Sequence, residues 1–443
     1  MDDAIQTEPV RQKKQKTAAG GSKAGTAERR GTDVTRVSEV SLSSKRAATA
    51  PIAVLLAAAV LLAGCWDSRE VNELAVVMAA AIDQADEQNI ELSVQVYNPR
   101  TAGGGGQVGQ MSGGSGGGAG AFVVRSAVGS TMADAMSKLQ EKLPRQIFWG
   151  HGEVFVIGEA VASKGLREHM DFLLRSPEIR DKADVFIVKG KAKPLLTLPV
   201  PLEGNTAQTM GKLADIHLGV QVSIINLTRM LAGSARGAIL PLVQLSQSEE
   251  KAGDSGKIPF MTGAGVLKND KLIGYIDVAT MRGAMWVRDE IELATVTVTP
   301  TRTERGDVTV RLVRSRTKLV PRIEDGKWAI TVESEAQGDI LQNTTNVDFG
   351  NPLLAGRLEQ DFNDQIERRM TGAIEKLQKM NADVLGFSQA FHRRYPKEWN
   401  KVKDRWDEQF PHVQATAVVK VKIERHGLSS SGAVRPNDEV QAE

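Results

Sequence analysis

Residues 354–379, LAGRLEQDFNDQIERRMTGAIEKLQK, carry apolar side chains at Leu354, Leu358, Phe362, Ile366, Met370, Ile374 and Leu377. Spacing of three or four predicts one long α-helix with an apolar stripe. Repeated steps of four exceed the 3.6 residues of a turn, so the stripe drifts round the helix and needs both a sheet and other helices to cover it. Asp364 with Arg368, and Glu375 with Lys379, predict i,i+4 ion pairs on the outer side, each worth about 0.3 kcal/mol. The flanking segments have the period of strands. Val308, Val310 and Leu312 form one alternating set, Trp328, Ile330 and Val332 a second, and Val419, Val421 and Ile423 a third between Lys420, Lys422 and Glu424. Ile291, Leu293, Val296 and Val298 predict a further strand with a register irregularity. Strands, a helix and a closing strand make 278–427 an α+β domain, and 428–443 reads as a disordered tail.

Upstream, strands and helices alternate. Leu92, Val94 and Val96 interleave with Ser93, Gln95 and Tyr97 as a half-buried strand, whereas Val154–Ile157 and Val185–Val188 are continuous apolar runs suited to central strands. Thr131 precedes a helical face of Met132, Ala135, Met136, Leu139 and Leu143, and Leu166, Met170, Leu173 and Leu174 mark a second helix closed by Pro177. These elements make 65–198 an N-terminal α/β domain. Residues 199–277 read as a small middle domain that opens on PVPLEGN. It has a helix face at Ile224, Leu227 and Leu231, a polar loop at 247–256, and a hairpin over Val266–Tyr275 that turns at Asn269 and Asp270. The fold class is therefore α+β and multi-domain, with three mixed α/β-type units.

Residues 101–121, TAGGGGQVGQMSGGSGGGAGA, are a flexible loop by composition. Gly104, Gly106 and Gly109 match GxGxxG, and Gly113, Ser115 and Gly117 match the hydrolase elbow. Neither has the strand-to-helix context its chemistry requires.

The chain has 41% apolar and 25% charged residues and a formal charge of +2. Residues 1–64 hold 10 Lys and Arg and 6 Asp and Glu, which leaves 46 and 48 of the totals of 56 and 54 for the rest. The basic excess belongs to the leader, and the body shows no interleaving of basic and aromatic residues for nucleic acid. Within the leader, Lys45 and Arg46 precede the apolar run PIAVLLAAAVLLA at 51–63, the order of a signal peptide and too short to span a bilayer stably. Leu62-Ala63-Gly64-Cys65 resembles a bacterial lipobox. That resemblance implies cleavage between Gly64 and Cys65, diacylglycerol on the Cys65 thiol and an acyl group on its new N-terminus. Cys65 is the only cysteine, so no internal disulfide is available. The signal peptide thus occupies 45–64, after a polar, disordered extension at 1–44. Either that extension is a cytoplasmic tail, or translation starts downstream at Val34 or Val37.

After the anchor, CWDSREVNELAVVMAAAIDQ at 65–84 resembles the opening of the Ger(x)C lipoproteins, the spore-germination receptor C-subunit family. Three further segments, at 144–180, 263–287 and 395–427, resemble that family in the same order. The resemblance implies a non-enzymatic, lipid-anchored subunit on the outer face of the inner spore membrane, acting with A and B membrane subunits of a nutrient germinant receptor. It implies no cofactor beyond the covalent lipid. Asp67, Arg69, Glu70 and Glu73 are candidate contacts to the membrane partner; as charged residues ahead of a strand they also read as a solvated lead-in. The six histidines show no metal-ligand spacing. His151, between Gly150 and Gly152, reads as a strand-entry histidine held by a backbone carbonyl, and Trp286, Trp399 and Trp406 read as core. Two other classes remain: a substrate-binding lipoprotein of a solute importer, against which no internal duplication is visible, and a hydrolase with Ser115 as nucleophile.

Overall fold

The computed structural model describes residues 73–97, 122–198, 203–246, 257–292, 294–301 and 305–425. The leader, Cys65, the glycine-rich stretch and the C-terminal tail lie outside them. The fold is α+β. Strand β1 (Leu74–Gln84) pairs antiparallel with β2 (Ile90–Tyr97), which pairs with β3 (Phe122–Gly129). On its other side β1 runs parallel to β5 (Val154–Gly158), followed by β6 (Asp184–Val188). Short β4 (Gln146–Phe148) lies against the start of β1. β7 (Gly237–Leu245) joins β6 at Ile187 and Leu242, and β8 (Pro259–Lys268) and β9 (Lys271–Asp277) finish a nine-stranded sheet. Strands from 199–277 therefore continue the sheet begun in 65–198. The predicted hairpin is β8–β9, with Asn269 and Asp270 in the left-handed region at φ 49° and 68°, as a two-residue turn between twisted strands requires.

Helices cover both faces of this sheet at its centre. α1 (Met132–Glu141) starts where the Thr131 hydroxyl accepts the Asp134 N–H at 3.1 Å. With α2 (Glu159–Lys164), α3 (Arg167–Arg175) and, later in the chain, α6 (Ile224–Ala232), it packs Leu139, Val161, Met170 and Leu227 on Ile82, Val94 and Ile187. α4 (Lys193–Leu196) and α5 (Thr206–Asp215) cover the other face, with Leu195, Leu196 and Met210 on Ala79, Val156 and Phe186. β2 is consequently not half-buried. Ser93 and Gln95 are enclosed too, and the Gln95 amide donates to the Leu196 carbonyl at 2.9 Å. Leu174, predicted on the buried side of α3, is exposed because Met170 and Leu173 already fill the contact.

After α7 (Val278–Val287) comes a four-stranded sheet in the order β10 (Thr295–Val298), β11 (Val308–Glu324), β12 (Lys327–Asn343), β13 (Gln414–Arg425). The strand predicted from Ile291 begins only at Thr295; Ile291 is buried ahead of it, and the register irregularities fall in β11. α8 (Pro352–Lys379) is the predicted long helix. Its stripe is buried from Leu354 to Leu377, between β13 on one side and α7 on the other. The crossing with α7 is so close that a Cβ on Gly283 would collide with the Arg369 carbonyl oxygen. On the outer side, Asp364 accepts from Gln360 and Arg368 donates to Gln365, in place of the predicted ion pair between them.

α8 also closes the outer edge of this sheet. Glu359, Asn363 and Glu367 accept the backbone N–H groups of Ile423, Val421 and Val419 at 2.9, 2.7 and 2.9 Å. The match is geometric: four helical residues rise about 6 Å and two strand residues about 6.6 Å, so side chains at i, i+4 and i+8 meet alternate amides of a neighbouring strand. A row of helix side chains thus stands where the next strand would hydrogen-bond.

Candidate functional site

Of the residues singled out in the sequence, Gly64, Cys65, Asp67, Arg69 and Glu70 lie outside the described residues, as do Ser115 and the glycine motifs. Glu73 is described, exposed at the head of β1. His151, three residues ahead of β5, is exposed and packs edge-on to Phe148, with ring centroids 5.9 Å apart. Trp286, Trp399 and Trp406 are core, each at most 2% exposed.

A polar cluster lies where the parallel strands β1, β5 and β6 finish, the position where open α/β sheets place ligand crevices. Asp83, 1% exposed, accepts the N–H groups of Ala192 and Lys193 at 2.7 and 2.8 Å. Burial pushes its carboxyl above the usual range while those two N–H groups pull it back. Lys193 Nζ reaches Glu91 at 2.5 Å and Ser126 Oγ at 2.9 Å. Beside them, Tyr275 donates to Glu159 Oε1 at 3.0 Å, Glu159 Oε2 accepts the Gly190 N–H at 3.0 Å, and Lys189 Nζ stands 5.0 Å from the Tyr275 ring centre. Burial, reinforced by Glu159, drives the Tyr275 hydroxyl far above its ordinary pKa. Asp83 and Glu159 accept N–H groups from the segment after β6, Glu91 is held by Lys193 at the start of α4, and the Tyr275 hydroxyl by Glu159. The arrangement is that of a clamp holding the turn against β1 rather than of a general acid–base pair aimed at a ligand.

Asp383 is the corresponding group in the second half. It accepts Ser388 N–H at 2.7 Å, Phe387 N–H at 3.2 Å and the Trp406 indole N–H at 2.9 Å, and burial raises its pKa. The residues it ties together include α9 (Phe387–Arg394) and the cluster of Trp328, Phe391, Trp399 and Trp406, whose ring centroids lie 4.6–5.9 Å apart. Next to it a cleft of about 650 Å³ runs between Met230 and Gly237 of the first half and Arg288, Leu319, Leu385 and Arg393 of the second. The Arg288 guanidinium is already engaged by Glu290 at 2.6 and 2.9 Å and by the Val384 carbonyl. Its Nη2 also lies 3.9 Å from Met230 Sδ of the first half, so it reaches across the junction between the halves.

Sequence reasoning missed Asp83, Asp383 and the Glu359, Asn363, Glu367 row. A signal existed for each: a lone carboxylate at the end of the apolar run of β1, another between apolar residues in Ala382-Asp383-Val384-Leu385, and a polar i, i+4, i+8 stripe on a helix. None of these signals names a partner. Among the described residues no group of three or more His, Cys, Asp or Glu could hold a metal ion, and no helix is long and apolar enough to cross a membrane.

Residues 67–245 match the family model described as "Spore germination protein N-terminal domain", and 262–427 the one described as "Spore germination B3/GerAC like, C-terminal". Two Bacillus subtilis (strain 168) proteins, Spore germination protein KC and Putative spore germination protein YfkR, are 25% identical over 395 residues and 28% over 373. The matches cover 85% and 83% of this chain and 96% and 94% of theirs. Spore germination protein B3 of the same organism is 27% identical, over 83% of this chain and 95% of its own. The crystal structure of the GerBC protein is similar at a TM-score of 0.48 and 20% identity, over 78% of this chain and 96% of that one.

Proposed function

We propose, for a chain that belongs to the spore-germination B3/GerAC-like family, that it is the lipid-anchored C subunit of a nutrient germinant receptor and acts with membrane A and B subunits. The observation that carries this reading is the order of the segments: a signal-like run, Leu62-Ala63-Gly64-Cys65, and a family match that begins two residues later and resumes to residue 427. One acyl chain holds a protein to a membrane only marginally, and the diacylglycerol and N-acyl group of a lipobox cysteine exceed that minimum. The tether keeps the folded body at high effective concentration beside its partners on the outer face of the inner spore membrane. Asp67, Arg69, Glu70 and Glu73, nearest the anchor, meet the membrane subunits in this reading. The role is non-catalytic, in keeping with buried carboxylates that accept the chain's own N–H groups.

Fractionation of dormant spores and vegetative cells carrying this chain or its Cys65→Ala variant tests the proposal. The expected result is a chain confined to the inner spore membrane and released from it in the variant. Abundance in vegetative membranes would overturn the receptor role, and retention of the variant would overturn the anchor.

A further inference from the structure

A cleft of about 520 Å³ opens at the end of the nine-stranded sheet where the chain enters β1. Ala75 of β1, Val96 and Tyr97 of β2 and Val123 of β3 form an apolar floor, extended by Leu143 and Pro144 after α1. Three cations from three elements line it: Arg125 on β3, Lys142 at the C-cap of α1 and Arg145 before β4. Arg125 Nη1 donates to the Val124 carbonyl and Lys142 Nζ to the Ser126 carbonyl, both at 3.0 Å. Among the described residues no carboxylate lines the cleft, and no ion pair neutralises any of the three. Like charges gathered at an apolar hollow repel one another, and what relieves them is an anion that also carries apolar surface. Tyr97, half-buried with its ring centroid 5.6 Å from that of Phe122, adds the amphipathic aromatic that suits a membrane interface.

Position narrows the choice of anion. Leu74 follows Cys65 by nine residues, at most about 30 Å of extended chain, so a lipid on Cys65 keeps this end of the sheet near the bilayer. We propose that the cleft binds the headgroup of an anionic phospholipid, phosphate against Arg125, Lys142 and Arg145 and glycerol and upper acyl carbons on the floor. This sets the anchored body with the start of β1 toward the membrane. The orientation rests on the proposed Cys65 anchor; the binding does not.

The test uses the chain from residue 65 with Cys65→Ala, so that no acyl group contributes, sedimented with vesicles of phosphatidylcholine alone or mixed with phosphatidylglycerol. Binding is expected to the mixed vesicles only. The Arg125→Gln/Arg145→Gln pair is expected to weaken it about twenty-fivefold, at roughly fivefold for each surface cation removed. Arg311→Gln/Arg316→Gln, the same charge change on the exposed face of β11, should alter it less than about twofold. Thermal unfolding of both pairs verifies that they fold. Equal binding to neutral vesicles, or equal loss in both pairs, overturns the proposal. So does soluble glycerol phosphate if it protects the chain against unfolding as well as the vesicles do, which would mark a free-phosphate site. Because the protein tested has no lipid, failure here leaves the anchor reading intact, and release or retention in spore fractions decides that reading separately.

Discussion

The nine-stranded sheet is covered on both faces at its centre, whereas the four-stranded sheet buries one face against α8 and leaves the other, with Arg311, Arg316, Glu333, Glu335 and Lys420, in water. Their sequences differ accordingly. Among strands enclosed on both sides, β5 is apolar at every position from Val154 to Ile157 and β2 keeps Ser93 and Gln95; a strand with one wet face alternates, as in Val419–Ile423. The comparison also shows how each half secures its less regular parts. The first surrounds Asp83 with partly exposed polar contacts, the Lys193–Glu91 ion pair and the Tyr275–Glu159 hydrogen bond. The second places Asp383 inside an aromatic cluster, where each N–H it accepts has no access to water.

The largest effect expected from breaking this contrast is at Asp383. Asp383→Ala strands the Trp406 indole N–H and the amides of Phe387 and Ser388 in the core, at a cost of about 3–5 kcal/mol, measured by urea unfolding. A loss below about 1 kcal/mol would mean that water reaches the cluster and that the two carboxylates are equivalent. A smaller loss is expected at the guarded edge. Glu359→Ala combined with Glu367→Ala removes two acceptors from β13, about 1 kcal/mol each. The freed amides should let copies pair edge to edge, read as concentration-dependent association by sedimentation. A strictly monomeric variant would show that bulk, not the hydrogen-bonded row, closes that edge.

The smallest effect tests the first sheet. Asp184, at the start of β6, is pushed up to about 6 by burial, opposed by a hydrogen bond from Gln221 and reinforced by Asp215 and Glu153. Between about pH 4 and pH 6 the folded chain holds this proton and the unfolded chain does not, so stability falls as pH rises through that window. Asp184→Asn should remove the slope and add about 1 kcal/mol at pH 7, after allowance for partial exposure and solvent screening, with no gain at pH 3. Equal gain at both pH values would assign the effect to packing.

Much of this was legible in advance where a periodic pattern had one dominant partner. The α8 stripe, the Thr131 cap and the Asn269-Asp270 turn depend on local geometry, and each appears where the residues predict it. Ser93 and Gln95 defeated the same reasoning: a polar residue every second position signals a wet face unless another element arrives to cover it. α4, roughly a hundred residues later in the chain, does so at Gln95, whose amide donates to the Leu196 carbonyl. The candidate site was less legible than the fold. Asp83 and Asp383 draw their roles from N–H groups 109 and up to 23 residues away, and one carboxylate in an apolar run looks the same whether it is clamped, catalytic or misplaced.

The sequence by itself determined the α+β class, the long helix and its buried stripe, the strand periods, the lipobox-like run ending in Cys65 and the resemblance to spore-germination proteins. All of these are encoded in spacings shorter than about two helical turns or in short ordered motifs. Only the tertiary structure decided that 199–277 continues the first sheet, that Glu359, Asn363 and Glu367 stand in for a missing strand, and that Arg125, Lys142 and Arg145 converge on one apolar hollow. Such arrangements rest on which distant segments come within hydrogen-bonding or packing distance, and that follows from burying the largest shared apolar surface rather than from any local preference.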